Sequence, residues 1–481
     1  MDTLSLFMSN LVSHHLSVLP SPIRELLTLT NALVFLAAFE LLYLVLVKFL
    51  IHPSMQVLST PPSYPSSSNL AFIMRILHRL EKVYPGETTR PEMESFLRGW
   101  CLGAEFSTIQ RENVVEFLAW ATHAKTVESL SAAELSDVDV IMDHLSTFHK
   151  MDFPAGKNPN ISTARLSLEP FSFIHRPLLL YIGIKLLSYV LKVTLLVCGF
   201  SRHRSSTGVR YWYRPPSSSS PSSAMPLIFF HGIAPCGCLF YLPMLFGTLL
   251  TAGRGALLFD TPAVTMLSHA LSRAPSESDV VSAVLEATSR HFRPHSKFVL
   301  SGHSLGSCPV TWVVRGIPSV VGLVLLLDPV TLFLSHPDVA FNFVYKRTFV
   351  TVMERVIYYG ASSEAFISHY LRRSFWWYRN ELFVEDVPAG VPVIVALSMK
   401  DEIVNSKLVA DGLECLKRAG GGRGRQQLLR QQQQQQQQQL RIIKLDEHSH
   451  AEMIHKPTTW NLIKEAIREE EAAAAKKKKV L

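Results

Sequence analysis

The sequence predicts an α/β fold: a mostly parallel sheet flanked by helices, with a helical cap insertion, preceded by an N-terminal membrane-associated helical region. Three observations predict it. Short, continuously apolar runs at residues 227–230, 255–260, 297–301, 320–327, 391–398 and 440–445 alternate with helix-length segments such as 239–251 and 278–291. Such runs suit strands buried on both faces, and helical crossovers make those strands parallel. Serine, aspartate and histidine residues fall at or just beyond the ends of these runs, where open parallel sheets carry their sites. Finally, two long apolar stretches precede the alternating region and point to lipid.

The first stretch is residues 26–47, 22 residues with one charge, Glu40. That length crosses a bilayer as a helix, and no small-residue cleavage site follows, so a retained anchor is expected over residues 1–52. Glu40 costs about 2.5–3.5 kcal/mol at mid-bilayer, less than the surrounding apolar residues supply. The second stretch, 177–200, carries Lys185 and Lys192 seven residues apart on nearly one helix face. A helix with one cationic stripe suits the membrane interface, where lysines reach the headgroups; a full span is the alternative.

Composition agrees with membrane contact. Of 481 residues, 48 % are hydrophobic, the formal net charge is +8, and the mean hydropathy is +0.18. Much of the positive charge sits near the apolar segments, which favours an anionic lipid surface over nucleic acid as partner. Six cysteines have no disulfide-framework spacing, and Cys236-Gly237-Cys238 is too close and isolated for a zinc site, so reduced thiols facing the cytosol are expected. Residues 53–69, rich in Pro and Ser, read as a linker, and 70–151 as amphipathic helices without evident chemistry. Asn160-Ile161-Ser162 is a glycosylation sequon only if lumenal.

The chemistry concentrates around Gly302-His303-Ser304-Leu305-Gly306, a G-x-S-x-G pattern between a strand-like run and a helix-like one. A sharp turn there needs small flanking residues and projects the serine hydroxyl from its tip. That hydroxyl is a weak nucleophile and needs a base, which in turn needs an acid to orient it. His450 and His448 are the candidate bases; Asp401 and Asp328 are the candidate acids.

With His231-Gly232 at the end of an earlier strand, these residues make the chain resemble the α/β-hydrolase superfamily over about residues 205–465. The resemblance implies a serine hydrolase with Ser304, Asp401 and His450 in the family order, Asp328 and His448 being the alternative acid and base. It favours His450 because a small residue, Ala451, follows. It implies an oxyanion hole from the N–H groups of Leu305 and Ile233, although His231-Gly232-Ile233 departs from the lipase HGGG form. No metal or organic cofactor is implied. Residues 331–390 occupy the cap position, and their aromatic residues, twelve of them between Phe341 and Tyr378, would suit an acyl chain.

The expected organisation is therefore an anchor (1–52), a helical region of unknown role (53–175), a second membrane-associated helix (176–204), a hydrolase domain (205–465) and a charged tail (466–481). Residues 420–439, with nine consecutive glutamines, read as a disordered insertion. Lys478-Lys479 near the terminus has the form of a dilysine endoplasmic-reticulum retrieval signal on a cytosolic tail. The expected activity is hydrolysis of carboxylic esters, probable substrates being lipid-like, at an endomembrane with the catalytic domain in the cytosol. The alternatives are an acyltransferase using the same serine and a non-catalytic membrane scaffold.

Overall fold

The computed structural model describes residues 21–170, 172–217, 224–250, 253–267, 273–419 and 440–480. The expected insertion at 420–439 lies outside them, and so do the side chains of the terminal lysines. The chain divides into two compact units, one of residues up to 57 with 175–182, the other of 58–174 with 183–481.

The first unit is built on α1 (Ser21–Leu46), which continues through a π-turn to Met55. The helix from Thr28 to Met55 is long and apolar enough to cross a membrane, and Leu33, Phe35, Phe39 and Leu42 are exposed along it. Its single mid-helix charge is answered locally. Glu40 Oε1 lies 2.8 Å from His175 Nε2, and Oε2 accepts the Leu178 N–H at 2.7 Å. The sequence alone offers no sign of this pairing, which reduces the cost of an unpaired carboxylate.

The second unit begins with four amphipathic helices, α2 (Asn69–Val83), α3 (Thr89–Trp100), α4 (Arg111–His123) and α5 (Ala132–His149). Capping starts three of them: Ser68 accepts from Ala71 N at 3.0 Å, and capping boxes open α4 and α5. His144 and His149 both reach Glu81 Oε1, at 3.0 and 3.1 Å, and so tie α5 to α2. The sequence sets 53–175 apart as its own region. Residues 58–174 instead cluster with the sheet, and the expected linker is docked from Leu58 onward. Tyr64 is buried and stacks on Tyr378, with ring centroids 3.7 Å apart. Tyr378 Oη also donates to Pro62 O at 2.8 Å.

α6 (Leu178–Val197) buries Ile184, Ser188, Leu191 and Leu195, one stripe at helical spacing, and Leu191 and Leu195 join the main core. Its other face is apolar and exposed at Leu186, Val190, Val193 and Val197, and the helix is long enough to span a membrane.

Eight strands follow: β1 (Ser201–Arg204), β2 (Arg210–Arg214), β3 (Leu227–Phe230), β4 (Ala256–Phe259), β5 (Phe298–His303), β6 (Val321–Leu327), β7 (Val393–Ser398) and β8 (Leu440–Leu445). They form one sheet in the order β1-β2-β4-β3-β5-β6-β7-β8. β2 runs antiparallel to β1 and β4, and all other pairings are parallel. This is the α/β-hydrolase fold that the resemblance implies. β1 was not expected, because it is a polar edge strand and edges need no apolar face. The helix expected over 239–251 is a continuous helical run, Gly237–Leu249, of mixed geometry: a 3₁₀ turn (Gly237–Tyr241), a short α-helical turn around Pro243 and a π-turn (Leu245–Leu249).

The sheet is flanked by α7 (Glu277–His291), α8 (Ser307–Gly316), α11 (Ser406–Ala419) and α12 (Pro457–Val480). The cap between β6 and β7 includes α9 (Val352–Ile357) and α10 (Ala365–Arg373). α2 is pinned to the cap region by charge. Arg79 pairs with Glu381 at 2.6 Å, both nearly sealed from solvent, and its guanidinium lies 4.5 Å from the ring centres of Phe333 and Phe383. Arg75 pairs with Asp386 at 2.7 Å.

Candidate active site

The central strands bring the candidate residues to one end of the sheet. β5 delivers Ser304 on a turn so tight that it has φ +52°, a left-handed conformation costing about 1–3 kcal/mol for a residue with a Cβ. Two glycines permit the turn. A Cβ on Gly302 would meet Gly306 O at 2.2 Å, and one on Gly306 would meet Phe230 O at 2.2 Å. Ser307 Oγ donates to Ser304 O at 2.6 Å and accepts from Val330 N at 3.2 Å, which fixes the turn against the end of β6.

His450, on the loop after β8, has Nε2 at 3.0 Å from Ser304 Oγ and Nδ1 at 2.6 Å from Asp401 Oδ2. A carboxylate only accepts, so Nδ1 carries a proton and Nε2 of the neutral ring faces the serine hydroxyl as acceptor. Asp401 is held in turn by the N–H groups of Ile403 and Val404, at 2.7 and 2.8 Å to Oδ1. Glu402 accepts the His450 N–H at 3.0 Å. Burial presses the His450 pKa down. The charge and hydrogen bond of Asp401, with the charges of Asp328 and Glu402, more than offset this and lift it to about 9.

The alternatives sit elsewhere. Asp328, fully buried with φ +41°, makes no hydrogen bond to the His450 ring, whose nitrogens go to Asp401 and Ser304. Its Oδ1 accepts from Ser398 N at 2.7 Å, and its Oδ2 from Ser398 Oγ at 2.9 Å and Ala451 N at 3.2 Å. It ties β6 to β7 and to the His450 loop. Burial acts to raise its pKa; His303, with Nε2 3.8 Å from Oδ2, the charge of His450 and the Ser398 N–H bring it below the ordinary aspartate value. His448 Nε2 turns instead to Thr459 Oγ1, 2.9 Å away, on α12.

Leu305 and Ile233 both border the space in front of Ser304. Leu305 lies in the first turn after the strand, where N–H groups lack helical partners. Ile233 N–H has no acceptor among the described residues. The neighbouring Gly232 N–H is already spent on Tyr241 Oη at 3.0 Å, and that hydroxyl also lies 2.9 Å from His303 Nδ1. Tyr241 thus links the two strand ends that carry Ile233 and Ser304, a role with no signal in the sequence.

A cavity of about 130 Å³ opens at Ser304 and His450. From the cap it is lined by Phe343, Ile357, Leu371, Phe375, Trp376 and Trp377, among others. Of the twelve aromatics between Phe341 and Tyr378 five face it; Phe341 and Tyr359 are exposed, and Tyr345 donates to Glu169 Oε1 at 2.8 Å. The opposite wall is made by Trp100, Trp120 and Leu166, from the helical region in which the sequence suggested no chemistry. The ligand atoms of Asp328, Asp401 and His450 lie within 4.8 Å of one another, a spacing a cation could use. The backbone N–H groups already bound to both carboxylates fit a hydrogen-bonded network better.

No family model and no curated protein matches the sequence. Solved structures with a similar chain path include a Rhizomucor miehei esterase, 13 % identical, covering 57 % of this chain and 81 % of its own, at TM-score 0.37. A second is an α/β hydrolase from a lagoon-sediment metagenome, 15 % identical, covering 56 % and 99 %, at 0.36. A third is a membrane phospholipase A described as a bacterial virulence factor, 13 % identical, covering 61 % and 94 %, at 0.38. Similarity at this level carries nothing about function; the fold assignment stands on this chain's own strand order.

Proposed function

We propose that the chain is a membrane-attached serine hydrolase of carboxylic esters, with lipid-like substrates. The observation that carries the reading is the continuous chain of contacts from Ser304 Oγ through the His450 ring to Asp401. In this mechanism neutral His450 takes the Ser304 proton as Oγ attacks the ester carbonyl. Asp401 stabilises the imidazolium, and the N–H groups of Ile233 and Leu305 receive the oxyanion. His450 then protonates the leaving alcohol, and an acyl group remains on Ser304. Water, deprotonated by the same histidine, releases the acid.

The lipid preference draws on the apolar cavity, and membrane attachment on the two long apolar helices. Six cysteines without disulfides suit a reducing compartment, which fits a catalytic unit on the cytosolic side of an endomembrane.

The test is labelling of the purified full chain in detergent with a fluorophosphonate. Wild type is expected to label, and Ser304→Ala and His450→Ala to lose the label while remaining folded. A folded wild type that stays unlabelled both in detergent and on liposomes contradicts the reading and favours a scaffold.

A further inference from the structure

The cavity at Ser304 is closed by residues from outside the expected hydrolase domain. Trp100 ends α3, Trp120 lies on α4, and Leu166 follows them; all three border the same space as Ser304 and His450. The two indoles are fixed in place. Trp100 Nε1–H donates to Ser335 O at 3.1 Å, and Trp120 Nε1–H donates to Ser167 Oγ at 2.9 Å. Their rings lie 5.5 Å apart, and Trp100 stacks on Phe117 at 5.3 Å. Both indole N–H groups of this wall are satisfied, so it offers a ligand apolar surface, whereas Trp377 Nε1–H, elsewhere in the lining, is buried without a partner among the described residues.

Charge is absent from the rest of the lining. Among the described residues no Asp, Glu, Lys or Arg borders the cavity, and the Tyr378 hydroxyl is already bonded to Pro62 O. A charged headgroup inside would be desolvated without a partner, whereas a hydrocarbon chain would only shed water. The cavity, about 130 Å³, leaves room for an apolar group beside Ser304.

We infer that residues 58–174 form the acyl-length gauge of the site: Trp100, Trp120 and Leu166 bound the slot that takes the acyl chain. The polar alcohol part of the ester stays outside. This rests on the serine-hydrolase reading and adds the substrate class and the residues that select it. It also gives the helical region, which contributes no reacting group, a function in specificity.

The experiment uses the full chain in detergent with p-nitrophenyl esters from acetyl to palmitoyl, beside fluorophosphonate labelling of each variant. For wild type, kcat/KM is expected to rise roughly fourfold per methylene while the slot fills, then to level once it is full. Trp120→Leu is expected to move that break to longer chains, and Leu166→Phe, which fills the slot, to shorter ones. Both variants are expected to keep the fluorophosphonate label. Labelled variants whose break stays at the wild-type length overturn the inference and leave the hydrolase reading intact. If wild type fails to label, the parent reading fails instead, and the slot is read by binding of 1-decanol, which needs no serine. Binding weakened at least tenfold by Leu166→Phe supports the slot, and equal binding overturns it.

Discussion

His450 is more basic than a free imidazole because three carboxylates face it in a buried setting, and this has a kinetic consequence. Only the neutral ring can accept the Ser304 proton, so kcat/KM is expected to rise with pH through an apparent pKa of about 9. Asp401→Asn removes the largest raising influence; the limb should move to lower pH while kcat falls about 10⁴-fold. A pH–rate profile of both proteins checks this, and a limb that does not move would mean that another group titrates. The same shift links to stability. The folded state favours protonated His450, so its contribution is fully present below about 6.5 and is lost as pH rises through about 9. Asp328 supports the loop rather than the ring. Asp328→Asn should therefore cost thermal stability and far less rate than Asp401→Asn; the reverse order would make Asp328 the acid.

At the scale of elements, the fold depends on a few buried polar ties between segments distant in sequence. Arg79 on α2 and Glu381 beyond the cap helices are 5 % and 0 % exposed, so removing one partner strands a buried charge. Glu381→Gln is expected to destabilise the second unit by about 3–5 kcal/mol, and the pair Arg79→Met with Glu381→Leu to recover most of that. Thermal unfolding followed by circular dichroism reads both, and equal melting of Glu381→Gln and wild type would contradict it. The strands were legible because both faces are buried and their residues are apolar without interruption, as in Val321–Leu327. The elbow was legible because steric demand leaves only small residues around Ser304. The resemblance alone puts Asp401 ahead of Asp328, since both follow sheet strands; the path of the β8 loop, which sets the His450 ring on Asp401, has no signal in the sequence. Tyr64, Tyr241 and Trp120 act through partners far away in sequence, and no local pattern announces such partners.

For the whole molecule, two apolar helices belong to a chain whose catalytic chemistry lies after both. The exposed stripe of α6 and the length of the helix Thr28–Met55 predict that the full chain stays in the membrane fraction under alkaline carbonate and leaves it only with detergent. Recovery in the carbonate supernatant would contradict membrane insertion. The helical region between the two apolar segments, set apart by sequence, forms one compact unit with the sheet that follows and lines the same cavity. All of this turns on one covalent event. The full chain would be mixed with p-nitrophenyl decanoate, quenched in acid within the first turnovers, digested and weighed by mass spectrometry. The account predicts a decanoyl adduct on the peptide bearing Ser304, absent from Ser304→Ala. Turnover of the ester with no adduct on that serine, and undiminished in Ser304→Ala, would contradict it.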